Sequence, residues 1–272
     1  MEWWFVSDLH GRPHRYKRLF ELLEKQRPSL ILMGGDLLPH EMARWSPEIP
    51  DFLRGYLIPA LHALKKQMQG DYPRILLIPG NDDPAHENQT FLEMEKERLV
   101  EWVNMKTVEV DDFLITGYAY VPPTPFLRKD WEKYDVSRYV DPGCIHPYEG
   151  YRTADPDYDP AYDTIARDLE RLAQGLEMNR SIFLMHSPPY QSRLDRAALD
   201  GVMVDHVPLD VHVGSIAIQR FITERQPLLT LHGHIHESSA LTGSWQDTIG
   251  RTHLFSAAWD GPELALVRFS PH

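Results

Sequence analysis

Apolar residues along this chain are concentrated in short runs, each of which ends at a polar residue. The runs cover residues 3–7, 30–35, 75–80, 181–185 and 228–233, and they end at Asp8, Asp36, Asn81, His186 and His234. Within each run the apolar positions are continuous and do not alternate with polar ones, which is typical of strands that are buried on both faces. Glycine and proline near several run ends support the same boundaries.

Segments with helical spacing separate these runs. Residues 13–26 place Tyr16, Leu19, Phe20 and Leu23 on one face, and we also expect helices over residues 51–68, 84–103, 161–174 and 215–225. Strands that alternate with helices predict an α/β sandwich with a largely buried sheet. Near the end of the chain, residues 252–257 and 263–269 flank a Trp-Asp-Gly-Pro turn, which predicts a hairpin.

Residues 118–162 interrupt this alternation. The stretch holds eight of the twelve tyrosines and seven prolines, and it is too long for a simple connection in a compact fold. We interpret it as an insertion within a single domain that spans residues 1–272, forming a lid or wall over a site. An elaborate surface loop and an oligomer contact are the alternatives, and the possible homo-oligomer stays open.

Composition narrows the class of protein. The chain has 272 residues, of which 42% are hydrophobic and 25% charged, as in ordinary globular proteins. The sequence has neither an apolar run of the ~18 residues that a membrane span needs nor a secretory leader, so we expect no membrane partner. The single cysteine, Cys144, has no partner for an internal disulfide, which favours the reducing cytoplasm.

The charge balance bears on possible partners. The chain carries 28 basic and 40 acidic residues, a net charge of −12, which disfavours binding to duplex nucleic acid. A small phosphorylated substrate stays compatible with this charge because bound metal ions can reverse the local field.

The residues at the run ends are candidate metal ligands. In open α/β sheets, ligands bind beyond the carboxyl ends of the strands. His10 and His236 each lie two positions from another candidate, so each pair of side chains can point to the same side of an extended chain. The full set is Asp8, His10, Asp36, Asn81, His186, His234 and His236. These nitrogen and oxygen donors suit manganese, iron, zinc, nickel or cobalt, and they are numerous enough for two divalent ions with one shared carboxylate.

Each motif taken alone has an ordinary structural explanation. The Gly-Asn-Asp-Asp stretch that begins at Gly80 is a common turn sequence, and His186 before two prolines is compatible with a core histidine. The Gly-His-Ile-His stretch that begins at Gly233 is the most specific piece. All of these motifs follow apolar runs in one chain, and this coincidence favours a common site.

The order of these motifs resembles that of the calcineurin-like metallophosphoesterase superfamily. The motifs are Asp8-Leu9-His10, Gly35-Asp36, Gly80-Asn81, His186 and Gly233-His234-Ile235-His236, and they extend over most of the chain. The stretches His186-Ser187-Pro188-Pro189 and Gly214-Ser215, together with His232 to Glu237, are similar to the Icc-related prokaryotic branch of that superfamily.

The resemblance implies a four-layer αββα sandwich with two metal ions between the sheets. One ion would be held by Asp8, His10, Asp36 and His236, and the other by Asp36, Asn81, His186 and His234, so that Asp36 bridges them. The implied activity is hydrolysis of a phosphate ester by a metal-bridging hydroxide, with phosphodiesters favoured over monoesters. A non-catalytic metal-binding scaffold of the same fold and a single-strand nuclease are the alternatives.

One position departs from the family pattern. Asp82 follows Asn81, where the family usually has a histidine that contacts phosphate and protonates the leaving group. The leaving-group acid is therefore open, and we consider His206 and His212, with His212 preferred because it precedes the helix start at Ser215, where a helix N-terminus offers an anion site. The catalytic candidates are Asp36, Asp82 and His212, and the candidate substrate contacts are Asn81, Arg12 and His212.

Overall fold

The computed structural model describes residues 2–40 and 51–271. The strands are β1 Trp3–Val6, β2 Leu30–Gly34, β3 Arg74–Ile78, β4 Glu101–Trp102, β5 Thr107–Val110, β6 Phe113–Tyr118, β7 Ser181–Met185, β8 Met203–Val204, β9 Val207–Pro208, β10 Leu229–His232, β11 Gln246–Ile249, β12 Thr252–Ser256 and β13 Val267–Phe269. The helices are α1 Pro13–Gln26, α2 Ile58–Met68, α3 Asn88–Lys96, α4 Ile165–Leu172, α5 Ile216–Arg225 and α6 Ser238–Thr242. All five predicted strands are present, each with bounds close to those expected.

The strands form two main sheets and a small hairpin. The first sheet has the order β13-β1-β2-β3-β4, in which β1 to β4 are parallel and β13 is antiparallel to β1. The second has the order β11-β12-β10-β7-β6-β5, with a parallel centre and an antiparallel strand at each edge. Strands β8 and β9 pair with each other.

The two sheets face each other, and helices cover their outer faces. Trp3 of β1 packs edge-on against Phe113 of β6, with ring centroids 5.4 Å apart. On the outer face of the first sheet, Ile31 and Met33 of β2 meet side chains of α1 and α2. On the second sheet, Phe183 of β7 packs against Phe221 of α5 at 4.8 Å. The result is the predicted four-layer sandwich, in which central strands have apolar neighbours on both faces, so their sequences do not alternate.

Two predicted helices differ in detail from those observed. The segment expected as one helix over residues 84–103 holds a short 3₁₀ turn, then α3, and then β4. The chain reverses at Arg98, whose φ of 55° is left-handed and incompatible with a continuing helix. The helix expected from residue 51 begins with a π-helical turn at Leu53–Leu57, where Ile58 donates to the carbonyl of Leu53. Pro59 follows and cannot donate a helical hydrogen bond.

The predicted C-terminal hairpin is wrong. Strand β12 lies in the second sheet between β10 and β11, whereas β13 pairs with β1 in the first sheet. The chain between them therefore crosses from one sheet to the other. The hairpin that does form joins β11 to β12, with Gly250 at φ 61° in its turn.

The segment 118–162 begins at the last residue of β6 and ends shortly before α4. Its backbone pairs through isolated bridges instead of long strands. Two lysines in it are buried with carboxylate partners: Lys129 contacts Glu132 and Lys133 contacts Asp168, each at 2.6 Å. Lys133 also lies 4.1 Å from the ring centre of Tyr120. These contacts make the segment a packed part of the described structure, and its function as a lid stays a prediction. In the described ranges, no helix is long and apolar enough to cross a bilayer.

Candidate metal centre

The predicted ligands lie at the carboxyl ends of strands β1, β2, β3, β7 and β10. Their local backbone is unusual, because Asp8, His10, Asp36 and His234 have left-handed φ angles of 56°, 48°, 52° and 76°. Such a conformation costs on the order of 1 kcal/mol or more for a residue with a side chain, and it persists where surrounding contacts enforce it. Each of these residues lies in a loop that follows a strand.

Two glycines allow the strand ends to approach one another closely. A Cβ atom at Gly80 would overlap the carboxylate of Asp36, and one at Gly233 would overlap the side chains of Ser7 and Asp8. The glycines that precede Asn81 and His234 in the sequence are therefore needed for close contact rather than only for a turn.

The first group of donors consists of Asp8, His10, Asp36 and His236, whose ligand atoms all lie within 4.8 Å of one another. His236 Nε2 is 3.0 Å from Asp8 Oδ1, and His10 Nε2 is 2.9 Å from His236 Nε2. His10 Nε2 is also 3.8 Å from Asp36 Oδ2. Imidazole nitrogens and carboxylate oxygens thus converge on one small volume, an arrangement suited to a cation.

The second group consists of Asp36, His186 and His234, again within 4.8 Å. His186 Nε2 lies 3.4 Å from Asp36 Oδ2 and 3.1 Å from Asn81 Oδ1, so the amide oxygen of Asn81 joins this group. His186 is fully buried, and Asp36 and Asn81 are buried as well. Asp36 belongs to both groups, and its Oδ2 atom faces a histidine from each.

Hydrogen bonds outside the two groups orient several of these donors. His186 Nδ1 lies 2.7 Å from the carbonyl of Gly34 and donates to it, so Nε2 is the nitrogen that faces Asp36 and Asn81 and would bind an ion once it has lost its proton. Arg15 donates to the backbone carbonyl of Asp8 at 2.6 Å. His232 is different: its ring nitrogens contact Ser187 O at 2.9 Å and Thr230 Oγ1 at 2.8 Å, which makes it a structural histidine of the core.

The electrostatics of the centre favour bound cations. Burial alone would raise the pKa of Asp36, but the adjacent His186 holds that pKa well below its ordinary value. Burial opposes protonation of His186, yet Asp36 and Asp8 raise its pKa to about 9. Burial and the neighbouring His186 lower the pKa of His234 to about 3. Without metal, His186 therefore carries a proton, and a bound metal ion would replace the positive charge of that proton.

Two further carboxylates follow Asn81. Burial and the charge of Asp36 raise the pKa of Asp82 to about 6 and that of Asp83 to about 7. Asp83 is fully buried and accepts hydrogen bonds from the backbone amides of Leu37 at 3.1 Å, Leu38 at 2.8 Å and Gly80 at 2.8 Å. It therefore joins the loop after β2 to the loop after β3 and fixes the separation of Asp36 and Asn81.

The structure revises the expectation about His212 and gives its partner. Its Nδ1 atom contacts the buried carboxylate of Asp195 at 2.8 Å. The N-terminus of α5 is also occupied, because Asp135 accepts hydrogen bonds from the amides of Ile216 and Ala217. The anion site expected there is thus filled by a carboxylate of the chain itself.

The other candidates outside the donor groups lie on the surface. His206 is exposed at the turn between β8 and β9, with a φ of 67°. Arg12 is exposed at the N-cap of α1.

Two residues near the donors were not identified from the sequence. Arg128 Nη2 lies 3.3 Å from Asp82 Oδ1, and His40 Nε2 lies 3.8 Å from the same oxygen. Arg128 comes from the segment 118–162, and no spacing in the sequence links it to Asp82. The departure at Asp82 indicates only that the histidine usual in the family is missing there, and it does not identify the residue that faces Asp82.

Comparison with known proteins agrees with this architecture. The structure of TT1561 of Thermus thermophilus is similar at a TM-score of 0.53 and 14% identity, covering 100% of this chain and 99% of that one. A dimetal phosphatase from Danio rerio is similar at a TM-score of 0.55 and 10% identity, covering 98% of this chain and 91% of that one. No curated protein matches the sequence.

The family comparison covers most of the chain. The model of the calcineurin-like phosphoesterase family matches residues 1–238, a range that includes all of the clustered donors. The chain therefore belongs to the calcineurin-like phosphoesterase family and is a metal-dependent phosphoester hydrolase.

Proposed function

We propose that this protein hydrolyses phosphate esters with two divalent transition-metal ions and that it prefers phosphodiesters to monoesters. One ion would be held by Asp8, His10, Asp36 and His236, and the other by Asp36, Asn81, His186 and His234. The observation that carries the proposal is the presence of two donor groups that share Asp36. Nitrogen and oxygen donors without thiolate suit manganese, iron, zinc, nickel or cobalt.

Each protein group has a part in this scheme. Two bound ions would lower the pKa of a shared water towards about 7 and neutralise charge on the phosphate. Asp36 would fix the separation of the two ions, and the bond from His186 Nδ1 to Gly34 keeps the Nε2 atom directed at the second position. No side-chain nucleophile is required.

Hydrolysis of an ester with a poor leaving group needs a proton donor. His212 is paired with the buried Asp195, and a carboxylate partner keeps an imidazole oriented. We retain His212 as the candidate acid, with Asp82 as a further catalytic candidate and Asn81 as a candidate substrate contact. The segment 118–162 would cover the substrate.

The proposed substrate is a small phosphorylated molecule. The net charge of −12 disfavours a duplex nucleic acid as the partner. We place the reaction in the cytoplasm on the ground that Cys144 has no cysteine partner within the chain.

Hydrolysis of bis(p-nitrophenyl) phosphate and p-nitrophenyl phosphate, with and without added Mn²⁺, tests the proposal. We expect metal-dependent turnover that is faster for the diester, and a loss of at least about 10²-fold in Asp36→Asn because the shared ligand is weakened. Asp111→Asn is the matched control, since Asp111 is exposed and has the same left-handed φ of 52°. Equal activity in Asp36→Asn and wild type would refute the proposal.

A further inference from the structure

The position at which this chain departs from its family is occupied by an ion pair. Asp82 stands where a histidine is usual, and its Oδ1 atom lies 3.3 Å from Nη2 of Arg128. The same Nη2 atom is 3.4 Å from the backbone carbonyl of Asn81, which is one of the clustered donors. The side chains are mostly buried, with exposed fractions of 8% for Arg128 and 17% for Asp82. A permanent positive charge is therefore held at the edge of the candidate metal centre.

Several contacts fix the backbone around Arg128 against the loop that carries Asn81. Trp131 Nε1 donates to the carbonyl of Asp83 at 2.7 Å, and Asp130 accepts from the amide of Ala85 at 3.1 Å. Lys129 donates its amide hydrogen to the carbonyl of Tyr151 at 2.8 Å, and the amide of Tyr151 donates to the carbonyl of Leu127 at 2.9 Å. Because these contacts hold the residues on both sides of Arg128, little backbone freedom remains to be lost when the guanidinium binds a ligand.

The local charge explains why such a cation is needed. The side chain of Asp82 adjoins Asp36, whose Oδ1 atom accepts from the amide of Asp82 at 2.8 Å, and carboxylates here repel an anionic substrate wherever metal ions do not compensate them. A guanidinium keeps its charge at all relevant pH values and presents parallel N–H donors that match the oxygens of phosphate. It cannot act as a proton donor in the reaction, because a guanidinium does not lose its proton in a protein.

We propose that Arg128 binds the phosphate oxygens of the substrate, taking over the phosphate contact of the histidine that Asp82 replaces. This inference rests on the proposed phosphoesterase function. In the absence of substrate, Asp82 holds the guanidinium in place, and the arriving phosphate exchanges with that carboxylate as its partner. Arg128 thus supplies charge and orientation, whereas the proton for the leaving group comes from another residue or is unnecessary for an activated leaving group.

Binding of inorganic phosphate to the Mn²⁺-loaded protein, measured by calorimetry, tests the contact without relying on turnover. We expect the affinity for phosphate to fall at least about tenfold in Arg128→Ala. It should fall less in Arg128→Lys, which keeps the positive charge but loses the paired N–H donors of the guanidinium. In Asp82→Asn the affinity should rise, because a competing negative charge is removed. Arg138→Ala is the matched control: Arg138 lies in the same segment, exposed beside the ring of Tyr162 at 4.9 Å, and its loss should leave the affinity unchanged.

Kinetics on esters with different leaving groups separate a phosphate contact from a proton donor. We expect kcat/KM of Arg128→Ala to fall by about 10²-fold for both nitrophenyl and alkyl esters, since the lost contact is to the phosphate. Loss of an acid would instead slow the alkyl esters more than the nitrophenyl esters. A larger effect on the alkyl esters would therefore overturn the assignment.

The outcomes distinguish this inference from the proposed function. If wild-type protein hydrolyses esters but Arg128→Ala and Arg128→Lys bind phosphate as tightly as wild type, the phosphate contact is wrong and the function stands. If wild-type protein with bound Mn²⁺ hydrolyses none of the esters, the proposed function itself fails. Metal content is measured for every variant. If Arg128→Ala loses its ions, the test uses metal-loaded Arg128→Lys instead, and a phosphate affinity equal to that of wild type in this variant would overturn the inference.

Discussion

At the scale of single residues, the proposed metal centre depends on ligand side chains that the sequence identifies by residue type and by position after a strand. Asp8, Asp36 and His186 follow strands, and the convergence of strand ends places them together as predicted. The left-handed backbone of Asp8 and Asp36 was not predictable, because aspartate does not by itself require it. The partner of Asp82 was equally hidden, since Arg128 is distant in the sequence and is brought in by tertiary packing.

The raised pKa of His186 leads to a prediction about metal binding. Without metal, Asp36 and Asp8 hold this pKa at about 9, so at neutral pH the imidazole carries a proton that an ion must displace. The apparent affinity for Mn²⁺ should therefore rise with pH up to about 9, by up to about tenfold per unit for each proton released. His234, with its pKa lowered to about 3, is already neutral and adds nothing to this slope.

Calorimetric titration of Mn²⁺ in buffers with different ionisation enthalpies measures the proton count. At about pH 7 we expect at least about one proton to be released per chain on loading. Affinity that is independent of pH, with no proton release, would contradict the assignment of His186 as a ligand.

At the scale of elements, the sequence predicted the strands that a local apolar pattern determines. It failed where long-range strand pairing determines the structure. Strands β1, β2, β3, β7 and β10 were recognised because buried strands have continuous apolar runs. The helix over residues 84–103 was extended too far, because the reversal at Arg98 leaves no glycine or proline signal. The C-terminal hairpin was wrong because proximity in sequence does not reveal that β12 and β13 join different sheets.

The loops after β2 and β3 are joined by Asp83, which leads to a prediction about stability. Asp83→Ala leaves the buried amides of Leu37, Leu38 and Gly80 without their carboxylate partner. Since an unsatisfied buried donor costs about 1–3 kcal/mol, we expect the free energy of unfolding to fall by about 3 kcal/mol or more. Metal affinity should fall as well, because Asp36 and Asn81 lose their fixed separation.

Urea denaturation of the metal-free protein measures the stability term separately from metal binding. Asp112→Ala, at an exposed turn position, is the control and should change stability by less than about 0.5 kcal/mol. A loss below about 1 kcal/mol in Asp83→Ala would show that other contacts hold the two loops together.

At the scale of the whole molecule, the fold places two sheets face to face so that their strand ends form one site. Asp8, Asp36 and Asn81 come from the first sheet, and His186 and His234 come from the second. The centre is thus complete only when the sheets are packed together. The motifs predicted the donors, and the family resemblance that they carry implied the four layers. The sheet to which each strand belongs follows from long-range pairing that no local pattern encodes.

The number of divalent ions bound per chain tests the central claim most directly. Calorimetric titration of the metal-free protein with Mn²⁺, checked by elemental analysis, should show about two ions per chain, as the two donor groups that share Asp36 require. A chain that binds about one ion, or none, at saturating Mn²⁺ would contradict the account.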